Sequence, residues 1–282
     1  MVVGHYKIGA IIQARLGSYR LPNKVLMPMP VGSKESILSR IIKSLGKTAM
    51  IDKIYVATSV NQLNDPIEEI CKSLTIHCFR GSEDNVLSRF YNIIKNEDFD
   101  FVLRFTADNP IIDQNYLEVF IINHLKKQLD YSSSKGLPLG CNFEMFKSET
   151  IIAAQKHTSD IYDKEHVTPY IKRHYNNLET YIFEMEEKVS NFRFTIDYAS
   201  DYAFINLMYS MLNRENKYSV HDFISLIKEN QWLKDINSIN IQKVKVETLY
   251  EEINLILPIA KQLELGRLTN LLENEREKNT NI

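Results

Sequence analysis

The amino-terminal part of the chain alternates between short apolar runs and longer segments with helical spacing, and this rhythm constrains the fold more than any other feature. Ile8 to Ile12 form an unbroken apolar run, as expected of a strand buried on both faces. Ser36 to Lys47 places Ile37, Ile41, Ile42 and Leu45 on one helical face. Lys53 to Thr58 is the next strand, rich in β-branched and aromatic residues, and a helix opens after it at Asp65 and Pro66. A strand at Ile76 to Phe79, a helix from Glu83 to about Lys95 and a strand at Phe101 to Phe105 continue the order. Such alternation predicts an α/β fold with a mostly parallel sheet covered on both faces. Ligands of such sheets bind beyond the carboxyl ends of the strands, which directs attention to the loops after Ile12, Ala57, Phe79 and Phe105.

After Asp130 the pattern loosens. YSSSKGLPLGCNFEMF reads as loops and short strands, whereas Asp163 to His174 and Asp201 to Leu212 read as helices. From Ile236 a helical tail is expected, in which Leu249, Ile253, Ile256, Ile259 and Leu263 form an apolar stripe interrupted by Pro258. The expected division is a main domain over 1–235 and a C-terminal helical extension over 236–282, with the last residues, NEREKNTNI, frayed.

Charge excludes some functions. With 34 basic and 36 acidic residues the formal net charge is -2, so no global field favours nucleic acid or a membrane surface, and any phosphate binding has to be local. The 3 cysteines, Cys71, Cys78 and Cys141, have no CxxC spacing, which argues against a disulfide framework and a zinc site. The opening MVVGHYKIGAIIQAR does not read as a signal peptide, and no apolar run is long enough for a membrane helix. A cytoplasmic protein is expected.

The segment QARLGSYRLPNK, Gln13 to Lys24, is the most informative. Arg15, Arg20 and Lys24, with Gly17 and Ser18, follow the first buried strand, and a triphosphate needs this combination. Glycine lets backbone amides approach oxygen, the hydroxyl donates, and the cations offset phosphate charge. A solvated basic loop is the plain alternative. The segment is neither a GxxxxGK loop nor a GxGxxG fingerprint. In RFTADNP, Asp108 falls just past a strand that should be central, well placed for a magnesium ion that takes carboxylates together with substrate phosphates. Asp197, in FRFTIDYASDY, is the candidate partner, again after an apolar strand-like run. Taken singly each aspartate reads as a turn or cap residue; taken together with the basic loop, the metal reading and the structural one are evenly balanced.

Gln13 to Met29, Thr58, Gly81 to Arg89, Arg104 to Pro110, Glu165 to Tyr170 and Arg193 to Asp201 together resemble the cytidylyltransferase family of the spore-coat polysaccharide biosynthesis type. That family is related to the CMP-Kdo and CMP-sialic acid synthetases. The resemblance spans roughly Lys7 to Lys234 and implies a GT-A-like three-layer α/β/α nucleotidyltransferase domain, a CTP donor, a Mg²⁺ requirement, a small anionic acceptor and a homodimer. By position, Arg15, Ser18, Arg20 and Lys24 match the triphosphate loop, with Gln13, Ala14 and Gly17 beside them. Asp108 and Asp197 match the metal-binding aspartates, and Thr58, Ser59, Asp84, Arg89 and Arg104 match positions near the nucleotide. Gly140, Glu144, Glu165 and His166 are the acceptor-side candidates, with His166 readable as a general base or as a structural histidine. Asn23 stands where the loop often has glycine, and Ala107 stands where glycine commonly precedes the aspartate.

In the implied reaction an acceptor oxygen attacks the α-phosphorus of CTP in line and pyrophosphate departs, with Arg15, Arg20 and Lys24 holding the β- and γ-phosphates. An acceptor such as a sugar acid or sugar phosphate would need no strong general base. A GT-A glycosyltransferase using a nucleotide sugar is the rival enzyme reading, but the basic loop and the Asp108-Asn109-Pro110 sequence, in place of a closely spaced acidic pair, speak against it. A non-catalytic nucleotide-binding subunit would bind CTP without releasing pyrophosphate.

Overall fold

A computed structural model describes residues 6–185, 189–212, 218–240 and 248–279. Among these residues, strands β1 (Ile8–Gln13), β2 (Lys53–Ser59), β3 (His77–Gly81), β4 (Phe101–Thr106), β5 (Tyr131–Lys135), β6 (Glu144–Lys147) and β7 (Leu178–Ile182) form one sheet. Their order is β3-β2-β1-β4-β6-β5-β7, and β6 alone runs against its neighbours β4 and β5. The central strand β1 pairs with β2 on one side and β4 on the other, both parallel, so their carboxyl ends share one edge.

Period-two alternation sends successive side chains of β1 to opposite layers. Ala10 and Ile12 pack with α1 (Ile37–Leu45), α2 (Asp65–Ser73), α4 (Gln114–Lys127), α8 (Ala199–Leu212) and α9 (Val220–Glu229). Ile11 faces the other layer, α3 (Val86–Glu97), α5 (Ser148–His157) and α7 (Pro169–His174), with α6 (Ile161–His166) beside α3. The fold class is therefore the three-layer α/β/α arrangement expected. Each fully buried Ile or Leu in these layers stabilises the fold by about 1.5–3 kcal/mol. Helix starts follow local chemistry: Ser36, Asn85 and Asp113 each accept an amide proton from the first turn of α1, α3 and α4.

Several boundaries differ from the sequence expectations. Glu83 and Asp84 precede α3, because Asn85 caps it. The expected helix from Asp163 to His174 is broken at Val167, which takes φ 70° before Pro169 opens α7. The run before Asp197 is no strand of the sheet: among the described residues it makes one isolated bridge, Leu139 to Arg193.

The chain divides into units 1–240 and 241–282, later than the expected boundary after residue 235. Asn237 explains the difference, since it is buried and bonded to Arg193 and Asp201. In the second unit α10 (Leu249–Gln262) and α11 (Gly266–Asn279) pack on each other, with Lys261 paired to Glu273 at 2.7 Å. The α10 helix continues through Pro258 and α11 reaches Asn279, so much of the terminal segment expected to fray is helical. Residues 1–5, 241–247 and 280–282, which the sequence reading covered, lie outside the described residues.

Candidate active site

The loop after β1 is built from its backbone. Ala14 N–H extends the pairing by donating to Ala57 O at 3.2 Å, and Leu16 N–H donates to Asn64 Oδ1 at 2.9 Å. Asn64 is held in turn by its Nδ2 donating to Ser59 Oγ at 2.8 Å. Ser59 is therefore a brace for the loop. Ser18 and Asn23 both donate their N–H to Leu16 O, at 2.8 and 3.2 Å, which folds the segment back on itself. Closing that turn puts Asn23 at φ 57° and ψ 16°, the left-handed region that glycine and asparagine tolerate best. The departure from glycine at Asn23 is thus conformationally conservative. Arg15, Gly17 and Arg20 remain exposed on the loop, whereas Lys24 turns inward and is buried.

Lys24 is the centre of the site. Its Nζ donates to Asp108 Oδ2 at 2.9 Å, Asp197 Oδ1 at 3.1 Å and Ile196 O at 2.7 Å. Two carboxylates far apart in sequence are thereby brought to one cation. Asp108 is fixed by Thr106, whose hydroxyl donates to its Oδ1 at 2.5 Å, and its carbonyl receives Ile196 N–H at 2.9 Å. That bond fastens the Asp197 segment to the end of β4. Ala107 is buried as part of the core and donates its N–H to Gln13 O at 3.0 Å. Arg20 reaches Asp197 Oδ1 at 2.9 Å and lies over the Tyr198 ring at 4.9 Å. Burial lowers the Arg20 pKa, but the Tyr198 hydroxyl and Asp197 outweigh it and raise the value overall.

Asp201, which the sequence reading did not single out, positions Asp197. Its Oδ2 accepts the N–H groups of Asp197 and Tyr198 at 3.0 and 3.1 Å, and its Oδ1 accepts from Asn237 and Asn240 at 3.0 and 2.7 Å. Arg193 Nη2 pairs with it at 3.2 Å. Burial pushes the Asp201 pKa up, and Arg193, Asn240 and the Asp197 amide more than reverse this, leaving it below the ordinary value. An Asp four residues after Asp197, at the start of a helix, was the available sequence signal.

The nucleotide-side candidates divide. Thr58 is fully buried and its hydroxyl has no hydrogen-bond partner. Arg89 is also buried, makes only a 3.4 Å contact to Ala57 O, and leaves Nε unpaired. Desolvation, reinforced by nearby Arg15, pushes its pKa down to about 10. Gly81 makes room for it, since a Cβ there would stand 2.9 Å from Arg89 Cγ. Asp84 is exposed before α3.

On the other side of β1, Arg104 donates from Nε to Gln13 Oε1 at 3.1 Å and from Nη1 to Glu144 Oε2 at 2.6 Å. Glu144 also accepts from Tyr131, Thr168 and Lys172. Burial raises its pKa, but Arg104 and Lys172 outweigh that effect and hold it at about 2. Glu165 and His166 are both exposed, and His166 packs on Tyr162 at 4.4 Å. From their neighbourhood it is Thr168 and Lys172 that reach Glu144. Gly140 takes φ +98°, and a Cβ there would come within 2.8 Å of Thr195 N, so it locks the Pro138 turn against the Asp197 segment.

The residues fit a magnesium ion. Asp108 and Asp197 each place an oxygen within 3.1 Å of one point now held by an ammonium group. Among the described residues no three His, Cys, Asp or Glu side chains converge. A hard cation held by two carboxylates completes its shell with phosphate oxygens and water.

A sheet of this order, with a basic loop after the central strand and two aspartates meeting beside it, defines a nucleotide-binding α/β protein of the nucleotidyltransferase kind. The cytidylyltransferase family model matches residues 9–218. An uncharacterized protein of Methanocaldococcus jannaschii is 36% identical over 82% of this chain and 95% of its own length. The spore coat polysaccharide biosynthesis protein SpsF of Bacillus subtilis is 33% identical over 78% of this chain and 93% of its own. A solved cytidylyltransferase from Leptospira borgpetersenii superposes with a TM-score of 0.75, at 26% identity, covering 86% of this chain and 100% of that one. The chain belongs to the cytidylyltransferase family. Among the described residues no helix is long and apolar enough to cross a membrane.

Proposed function

We propose that this chain transfers CMP from CTP to a small anionic acceptor, a sugar acid, sugar phosphate or related metabolite, releasing pyrophosphate, in surface polysaccharide or glycoconjugate biosynthesis. The observation that carries the reading is the convergence of Asp108 and Asp197 on one cation directly behind the basic loop. Family membership supports the CTP donor, and the spore coat relative supports the polysaccharide setting.

In this reading Asp108 and Asp197 would hold Mg²⁺, which would supply positive charge to offset that of the phosphates. Arg15 and Arg20, on the exposed loop, bind the β- and γ-phosphates and stabilise pyrophosphate as it leaves. Lys24 exchanges its carboxylate partners for phosphate oxygens when the triphosphate enters. Asp201 and Thr106 keep the aspartates in place, so little reorganisation is needed during the reaction. The acceptor oxygen forms a bond to the α-phosphorus as the bond to pyrophosphate breaks.

The test is pyrophosphate release from four nucleoside triphosphates across a panel of sugar acids and sugar phosphates, with product masses. CTP-dependent release with an adduct one CMP heavier is expected. Calorimetry then compares CTP with CMP in Arg15→Ala, where a loss of roughly ten- to hundredfold for CTP and little for CMP is expected. Binding of CTP without pyrophosphate release for any acceptor would instead support a non-catalytic subunit.

A further inference from the structure

A cleft of about 180 Å³ opens in the helical layer that packs on Ala10 and Ile12. That is below the roughly 300–1,000 Å³ of sites for drug-sized ligands and suits a small metabolite. Its floor is apolar and aromatic: Pro110, Ile111 and Ile112 are buried, as is Tyr209, whose ring meets that of Tyr218 edge-on at 4.8 Å. Its rim is charged. Arg40 and Lys43, one turn apart on α1, take the two oxygens of Glu35, and Lys47 follows the end of the helix. Three cations against one carboxylate leave the lining residues with two positive charges in excess.

Glu35 organises these cations without matching their charge. Arg40 is held firmly: its Nε donates to Met29 O at 3.0 Å, its guanidinium lies over the Tyr209 ring at 4.8 Å, and its side chain is 12% exposed. Lys43 stands at the rim with its side chain 49% exposed. A fixed, largely buried guanidinium beside an exposed ammonium is a combination that takes phosphate oxygens. Lysines near the end of α1 also complement its dipole, but that role asks nothing of Arg40 in mid-helix, nor of a hollow beside it.

Among the described residues, none of those assigned to nucleotide, metal or acceptor lines the cleft. Each wall nevertheless continues one of their segments. Glu35 and Arg40 follow the basic loop, and Pro110 to Ile112 follow Asp108. Tyr209 lies about 15 Å along α8 from Ala199, which stands just after Asp197. We propose that the cleft is a second anion site, taking a small phosphate monoester whose phosphate sits between Arg40 and Lys43 and whose carbon skeleton lies on Tyr209 and Ile111. The inference goes beyond the cytidylyltransferase reading and stands without it.

The probes are a hexose 6-phosphate, inorganic phosphate and the free hexose, titrated by calorimetry without CTP into wild type, Lys43→Ala, Lys43→Glu and Arg15→Ala. Arg40 is left in place because it also braces Met29. Wild type is expected to bind the ester at least about tenfold more tightly than inorganic phosphate or the free hexose. Lys43→Ala weakens the ester by roughly ten- to hundredfold and Lys43→Glu by more, whereas Arg15→Ala changes it by less than about threefold. CTP affinity of Lys43→Ala stays within about threefold of wild type, which shows that the variant is folded. No binding of the ester by wild type overturns the proposal. So does a loss in Lys43→Ala no greater than that in Arg15→Ala, which would put the ester at the basic loop. Inorganic phosphate or free hexose binding as tightly as the ester overturns the monoester assignment.

Discussion

Replacing Lys24 with Met removes the ammonium that Asp108 and Asp197 share while keeping most of the stem's volume. At separations of 2.9 and 3.1 Å, each pair attracts by about 5–6 kcal/mol at an effective dielectric near 20, before desolvation is charged against it. Side-chain exposures of 9% for Lys24, 9% for Asp197 and 27% for Asp108 mean that solvent screens the set little. Breaking such a buried set by deleting one member costs about 3–5 kcal/mol, because Asp108 loses its ammonium partner and Asp197 is left to Arg20 and Arg193. For a domain of this size that is a fall in Tm of roughly 6–20 °C.

The same variant tests the cation seat. In wild type the ammonium occupies the carboxylates, so Mg²⁺ without nucleotide is expected to shift Tm by less than about 1 °C beyond a matched ionic-strength control. In Lys24→Met the ammonium no longer competes with the metal for the two carboxylates. At roughly ten times its Kd, Mg²⁺ then contributes about 1.4 kcal/mol, or about 3–6 °C. Differential scanning calorimetry with and without MgCl₂ reads both effects. A Lys24→Met variant that melts within about 2 °C of wild type, or equal Mg²⁺ shifts in the two proteins, would refute the reasoning.

Three further outcomes follow from the same geometry. Asp201→Ala takes from buried Arg193 its ion pair at 3.2 Å and frees the Asp197 segment, so it should cost about 3–5 kcal/mol in urea unfolding and lower turnover with CTP together. Glu144 titrates at about 2 in the folded protein against an ordinary 4.5, so its contribution, on the order of 3 kcal/mol, is complete above pH 4.5 and lost as pH falls from there toward 2. Glu144→Gln should flatten that acid limb in pH-dependent unfolding. Arg89→Met removes a buried cation with no carboxylate in contact, and should leave the ligand-free protein at least as stable while weakening CTP roughly tenfold; equal CTP affinity by calorimetry would take Arg89 out of the nucleotide site.

The centre of the sheet was legible because β1 and β4 are largely buried on both faces. An apolar run such as Ile8 to Ile12 has few alternatives between two helical layers, and the helices between strands carry clean stripes. The edge of the site was less legible where partners come from distant sequence. The segment around Ser133 read as loops and short strands, since nothing local says that Ser133 aligns with Glu144. Asp197 was found through its motif, but the reason it points inward is Asp201, held by Asn237 and Asn240 from beyond the expected domain boundary. A boundary drawn from composition cannot register a hydrogen bond that crosses it.

The basic residues show the same limit more sharply. Arg15, Arg20 and Lys24 read as phosphate ligands and Arg104 as a residue near the nucleotide, because residue type carries charge but not its counter-charge. Structure separates them by what already neutralises each. Arg15 stands exposed at the loop, whereas Lys24 balances two carboxylates and is released only when another cation or a phosphate alters that balance. Arg104 keeps its own carboxylate, Glu144, whose other oxygen is occupied by three further donors, so it has no reason to leave its place. A cation that can change partners suits a leaving group that must be bound and then released. On that basis Lys24 and Arg104 play different parts: Lys24 can trade its carboxylates, whereas Arg104, on β4 ahead of Asp108, stays with Glu144.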